Sequence, residues 1–204
     1  GLEATVDSQL LFDNDQLDAP EERVPDPDAE MGYADANETI AEWTGALFSV
    51  GEGSAQGGVA EQVVDASELI ATFGDGGYAT LGYNSQQVRE KQSFFGKLLS
   101  SEPEPDSIES YSTIETATRR ALYRHRSLTG DLTEAVRSLL VTTGPPAWLN
   151  REAIADARGT VAEETGGSAV RGGDVPVEDG THLTVLVLCT GMNRPERVVE
   201  LVTQ

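Results

Sequence analysis

The run Leu183-Thr-Val-Leu-Val-Leu-Cys189 constrains the fold more than any other stretch. It is almost wholly apolar, which suits a strand buried on both faces. The patterns before and after it supply further strands and helices in alternation from residue 76 onward. Tyr78–Tyr83 reads as a strand, and Ile114, Ala117, Ala121 and Leu122 mark a helix. Thr129-Gly-Asp-Leu starts a short helical turn that leads into the strand Leu139–Thr143, stopped by Gly144-Pro145-Pro146. Asn150 caps a helix to about Glu164, closed by Gly166-Gly167. Ala169–Arg171 is a short strand, and Pro195 suits the first turn of a last helix, Glu196–Val202. This order predicts an α/β fold with a mixed, mostly parallel sheet packed by helices.

The first third of the chain reads differently. Residues 5–13 form a short strand ending in Asp13-Asn14-Asp15. Residues 18–30 are acidic and hold Pro20, Pro25 and Pro27, which exclude a continuous helix. From Tyr33 to about Val50, apolar residues recur at three- and four-residue steps, predicting a long amphipathic helix. Gly45 inside it costs about 1 kcal/mol against alanine, so a close contact is expected on that face. Gly51–Gly58 holds four glycines in eight residues. No strand precedes it and no lysine follows the glycines, so it reads as a flexible connector and not as a phosphate loop. A helix start at Asp65 then runs to Phe73, and residues 100–107 form a Ser/Glu/Pro-rich loop.

Charge narrows the function classes. Across 204 residues, 35 acidic side chains face 14 basic ones, for a net charge of −21. Only Lys91 and Lys97 among the basic residues are lysines. A dense carboxylate surface repels itself, and salt screens that repulsion; an acid-rich, lysine-poor chain fits molar salt and predicts a halophilic source. No basic stripe is offered to nucleic acid. No apolar run approaches the ~20 residues that span a membrane, and no signal peptide is visible, so the expected location is cytoplasmic. Cys189, the single cysteine, reads as a small buried hydrophobe. Gly1 is not a methionine, which predicts a processed chain or a piece of a longer one.

Several positions carry chemistry. Tyr33 and Asn37 share a helix face at i, i+4 spacing, where an aromatic ring and a carboxamide suit a purine base; a helix-entry tyrosine and a solvent-facing asparagine fit the same pattern. Asp65 and Glu68 stand three apart before Leu69-Ile70, the arrangement of an N-terminal capping box. His125 and His182 lie far apart in sequence, so no metal site is expected. Arg119, Arg120, Arg124 and Arg126 form a basic cluster: a solvated helix face, or a contact for an acidic surface.

Leu11-Phe-Asp-Asn14-Asp followed by Tyr33-x-x-x-Asn37 resembles the guanine-recognition elements of the tubulin/FtsZ superfamily. Val63-Val-Asp65-Ala-Ser-Glu68 resembles the loop and helix start after its central helix. Thr143-Gly-Pro-Pro-Ala-Trp-Leu-Asn150, Ala157-Arg158, Val170-Arg-Gly-Gly-Asp174-Val-Pro176 and Val187-Leu-Cys-Thr-Gly191 resemble its C-terminal domain, most closely that of the haloarchaeal CetZ group. The resemblance covers the second half of the family's chain. The family's glycine-rich phosphate signature does not occur in these residues.

The resemblance implies an organisation. Residues 1–30 would end a nucleotide-binding domain, 31–52 would be the central helix, 53–76 the catalytic-type loop and its helix, and 77–204 the C-terminal domain. It implies Asn14, Tyr33 and Asn37 as base contacts for GTP or GDP, with Mg2+ able to accompany the nucleotide. Asp65 and Glu68 would act on the GTP of an adjacent subunit, Glu68 the more directly by positioning water. The partner implied is a second copy, joined head to tail in a filament. Without the phosphate-binding half, this chain alone is expected to be inactive. The other class open to the sequence is an interaction or scaffold module that binds no nucleotide.

Overall fold

The computed structural model describes residues 6–17, 32–52, 64, 66–74, 76–88 and 105–203. Among these residues five strands form one sheet: β1 (Gln9–Leu10), β2 (Tyr78–Gln87), β3 (Arg137–Gly144), β4 (Ala169–Pro176) and β5 (His182–Met192). The described helices are α1 (Tyr33–Glu52), α2 (Ala66–Phe73), α3 (Ser107–Tyr123), α4 (Arg151–Glu164) and α5 (Glu196–Thr203). The strand order is β1-β2-β5-β3-β4. β1 with β2 and β3 with β4 are parallel, whereas β5 is antiparallel to both of its neighbours. Four strands therefore share one direction, and β5 runs against them in the middle.

The central place of β5 explains its composition. Val185, Val187 and Cys189 enter one cluster, with Ile114, Ala117, Ala121 and Leu122 of α3 and Ala153, Ile154, Ala157 and Val161 of α4. Leu186 and Leu188 enter the other, with Trp43, Leu47 and Val50 of α1 and Leu69 of α2. The alternation of side chains along a strand sends every second residue to each face. With helices on both faces, neither set can be polar. The result is a three-layer α/β/α fold. Cys189 is buried, Ser138 Oγ lies 3.7 Å from its sulfur, and burial pushes its pKa up to about 11.

The helix ends follow the capping pattern. Asn150 Oδ1 accepts from Ala153 N at 3.1 Å, as expected, and Asp106 caps α3 by accepting from Glu109 N. The latter starts α3 at Ser107, inside the stretch expected to be loop. Other differences are of extent. The expected strand over 5–13 is reduced, among its described residues, to Gln9–Leu10, followed by a 3-10 turn at Asn14–Gln16. β2 continues to Gln87 and β4 to Pro176, because pairing with β5 and β3 extends them past their apolar residues. The contact expected at Gly45 is not found among the described residues: a Cβ there would meet nothing within 4 Å. Gly82 is the opposite case. A Cβ on it would stand 2.2 Å from Ala121 O, so α3 crosses β2 backbone to backbone at that point.

Candidate functional site

Of the five expected site residues, Asn14 lies in the turn that follows the edge strand β1, and Tyr33 and Asn37 lie on α1. β1 pairs with β2 for two residues and then leaves it. Asp13 N donates to Ser127 O at 2.7 Å, and the chain tightens into the 3-10 turn that carries Asn14. Asn14 is exposed. Phe12 and Leu17, on either side of the turn, join the same apolar cluster as Ala36 and Trp43 of α1. The Phe12 and Trp43 rings lie 6.3 Å apart, and Trp43 stacks on Tyr83 of β2 at 5.6 Å. These contacts lay α1 against the strand edge beside the Asn14 turn.

Tyr33 is the first residue of α1 and is 83% exposed. Asn37 follows one turn later and is exposed too. The inner face of α1 carries Ala36, Trp43, Leu47 and Val50, and Tyr33 and Asn37 flank it in the first turns, where both are exposed. Among the described residues no hydrogen bond is made by the side chains of Asn14, Tyr33 or Asn37. An aromatic ring can stack on a planar partner, and each carboxamide can both donate and accept.

Glu68 lies on another element. It sits half-buried in the first turn of α2, whose inner face is fixed by Leu69 and Thr72. The far end of α2 is bolted to the sheet: Arg137 Nη1 donates to Ala71 O, and Thr190 Oγ1 donates to Thr72 O at 2.6 Å. Ile70, two residues after Glu68, is an apolar side chain that is 71% exposed. Asp65 lies outside the described residues. α1 and α2 touch each other, so Tyr33 and Asn37 lie on an element next to the one that carries Glu68.

The remaining candidates resolve into structural roles. Arg119 pairs with Glu115 at 3.2 Å, an i, i+4 pair on the solvated face of α3. Arg126 does not share that face: it is half-buried, donates to Gly130 O at 3.1 Å, and burial lowers its pKa. His125 is half-buried with Nδ1 at 3.3 Å from Asn84 Nδ2, and His182 Nδ1 lies 2.9 Å from Thr181 Oγ1. Among the described residues no group of three or more His, Cys, Asp or Glu could hold a metal ion. None of their helices is long and apolar enough to cross a membrane.

One residue of this neighbourhood has no signal in the sequence. Arg197 of α5 donates from Nε to Asp13 Oδ2 at 3.0 Å and from Nη2 to Asp15 Oδ2 at 2.5 Å. The partners stand 184 and 182 residues away, and no spacing rule connects them.

Comparison with known proteins shows what the chain is similar to. Residues 26–204 match the family model described as tubulin-like CetZ, C-terminal domain. The chain is 38% identical to tubulin-like protein CetZ5 of Haloferax volcanii over 179 residues, covering 85% of this chain and 45% of that protein. It is 36% identical to CetZ1 of the same organism over 203 residues, covering 96% and 50%. Among solved structures it superposes on the GTPγS-bound protofilament of Haloferax volcanii CetZ2 with a TM-score of 0.71 at 32% identity, over 99% of this chain and 53% of the other. The chain thus spans about half the length of each of these relatives.

Proposed function

Because the chain belongs to the CetZ family of tubulin-like proteins, we propose that it is the C-terminal half of a GTP-dependent cytoskeletal polymer protein. The observation that carries this reading is the exposed set Asn14, Tyr33 and Asn37. All three are exposed, two of them on a helix whose core-facing residues are Ala36, Trp43, Leu47 and Val50. Tyr33 would stack on the base, and the carboxamides of Asn37 and Asn14 would pair with its edge. The phosphates, with Mg2+, would be held by residues outside this chain, since its sequence has no glycine-rich phosphate signature.

The carboxylates would act on the nucleotide of an adjacent subunit in a head-to-tail filament. Such contacts do not close on themselves and so propagate. Glu68, on a helix anchored through Ala71 and Thr72, would accept hydrogen bonds from a water and orient it for attack. Asp65 would support it from the helix start. The exposed Ile70 on the same helix suits a surface that meets another subunit. Support also comes from the relatives: one solved CetZ1 is a GDP-bound monomer, and the CetZ2 structure is a GTPγS-bound protofilament. The acid-rich, lysine-poor composition fits a protein that works in high salt.

The test is phosphate release and light scattering of the full-length protein with GTP in high salt. Glu68→Ala should still assemble but hydrolyse GTP at least about a hundredfold more slowly, the range expected when a water-activating group is lost. Hydrolysis at the parental rate by assembled Glu68→Ala would overturn the catalytic assignment. A full-length protein that binds no guanine nucleotide would leave only a scaffold role.

A further inference from the structure

We propose that Arg197 is a positioning residue for base recognition: from the C-terminal helix it clamps the turn that presents Asn14. The inference rests on the reading of Asn14 as a base contact and adds a residue that no motif assigns.

The argument starts from the turn itself. A 3-10 turn of three residues holds little by its own hydrogen bonds. Gln16 N donates to Asp13 O at 2.8 Å, and Asp15 N donates to Asp13 Oδ1 at 3.2 Å. β1 contributes only two paired residues before the turn, so the strand anchors it weakly. External tethers must do the rest. The main chain of Asp13 is fixed to Ser127 O, and Thr129 Oγ1 donates to Gln16 Oε1 at 2.6 Å. These hold the entry and the exit of the turn.

Arg197 spans the middle. Its fork takes Asp13 Oδ2 with Nε and Asp15 Oδ2 with Nη2, one carboxylate on each side of Asn14. Asp13 is the buried end of the clamp, with a side-chain exposure of 10%. The other Asp13 oxygen caps Asp15 N, so one carboxylate joins the arginine to the backbone of the turn. Glu200 Oε2 lies 3.9 Å from Arg197 Nη1 and steers the guanidinium from its own helix. The helix is in turn seated on the main core through Val198. The planar fork matters because a lysine ammonium is a point charge and cannot set two directions at once. Asp13 also holds the guanidinium pKa above its ordinary value.

The consequence is that the presentation of Asn14 depends on the C-terminal helix. Removing Arg197 leaves Asn14 in place chemically but lets the turn sample other conformations, so fewer molecules offer the carboxamide correctly.

The experiment is a double-mutant cycle on the full-length protein in high salt, titrated with a fluorescent GDP analogue and competed with GDP. Asn14→Ala and Arg197→Ala are each expected to weaken GDP binding by about five- to tenfold. The double variant should bind no more weakly than Asn14→Ala alone, because Arg197 acts only through Asn14. Arg197→Lys should behave like Arg197→Ala. Losses that multiply in the double variant would overturn the inference, as would parental affinity in Arg197→Ala while Asn14→Ala is impaired. Parental affinity in Asn14→Ala would instead remove the base reading, and this inference with it. If Arg197→Ala fails to fold, Asp15→Ala breaks the exposed arm of the clamp, and the same non-additivity with Asn14→Ala is required of it.

Discussion

Gly82 offers the sharpest test of the packing that supports the site. It lies in β2 where α3 passes over the sheet, and an added Cβ would stand 2.2 Å from Ala121 O and 2.9 Å from Ala121 C. A carbon and a carbonyl oxygen rest at about 3.3 Å or more, so the two backbones must part by about 1 Å. Neither side of the contact can rotate away, since both are main chain. Ile114, Ala117, Ala121 and Leu122 seat α3 with at most 1% exposure each, so shifting the helix disturbs the whole face. Overpacking of this kind costs about 1–3 kcal/mol. The rigidity of both partners puts Gly82→Ala at the upper end, less roughly 0.5 kcal/mol recovered from the restricted unfolded chain. The expected net loss is about 2.5 kcal/mol, read as a lower urea midpoint at unchanged slope, with circular dichroism and tryptophan fluorescence as probes. Gly45→Ala is the matched control: with open space around its Cβ it should stabilise α1 by about 0.5–1 kcal/mol. An unchanged midpoint in Gly82→Ala, or an equal fall in Gly45→Ala, would refute the reasoning.

Two further outcomes are expected. Burial and the neighbouring Glu42 push Tyr83 up to about 12, and burial pushes Cys189 up to about 11. In both cases the folded state keeps a proton that the unfolded chain has lost. The associated stability is present below the unfolded pKa values and is lost as pH rises to about 12, at roughly 3 kcal/mol for Tyr83; denaturant melts between about pH 9 and 12 should show the fall, and Tyr83→Phe should flatten the upper part of it. The net charge of −21 should make the melting temperature rise between about 0.1 M and about 3 M KCl, and an equal value at both would remove the halophilic reading.

The regular elements were legible because burial dictates their period. Leu183–Cys189 had to be apolar on both sides, and β5 is the strand with helices on both faces. Asn150 announced α4 because its cap needs only one side chain and the amide three residues on. The ends of β2 and β4 were not legible, since Asn84–Gln87 and Gly172–Pro176 are strand only through their partners. Of the site, Tyr33 and Asn37 were readable as a local pair on one helix. The Arg197 clamp was not, because it joins positions at opposite ends of the chain.

The arginines show why charge counting misleads in such a chain. In a surface this acidic, a basic residue reads as a screen for nearby carboxylates or a handle for a partner. Arg126, Arg137 and Arg158 instead donate to main-chain carbonyls, of Gly130, Ala71 and Gly172 respectively. Each tethers a loop, a helix end or an edge strand. Arg197 does the same job through two carboxylates. A rigid, weakly hydrated fork can serve a partly buried carbonyl at less cost than an ammonium. The scarcity of lysine therefore reaches beyond the solvent-facing surface. Where a cation is kept on a half-buried site, its geometry is in use. Among the described cations, Arg137 and Arg197 hold the elements that carry candidate site residues, the Glu68 helix and the Asn14 turn.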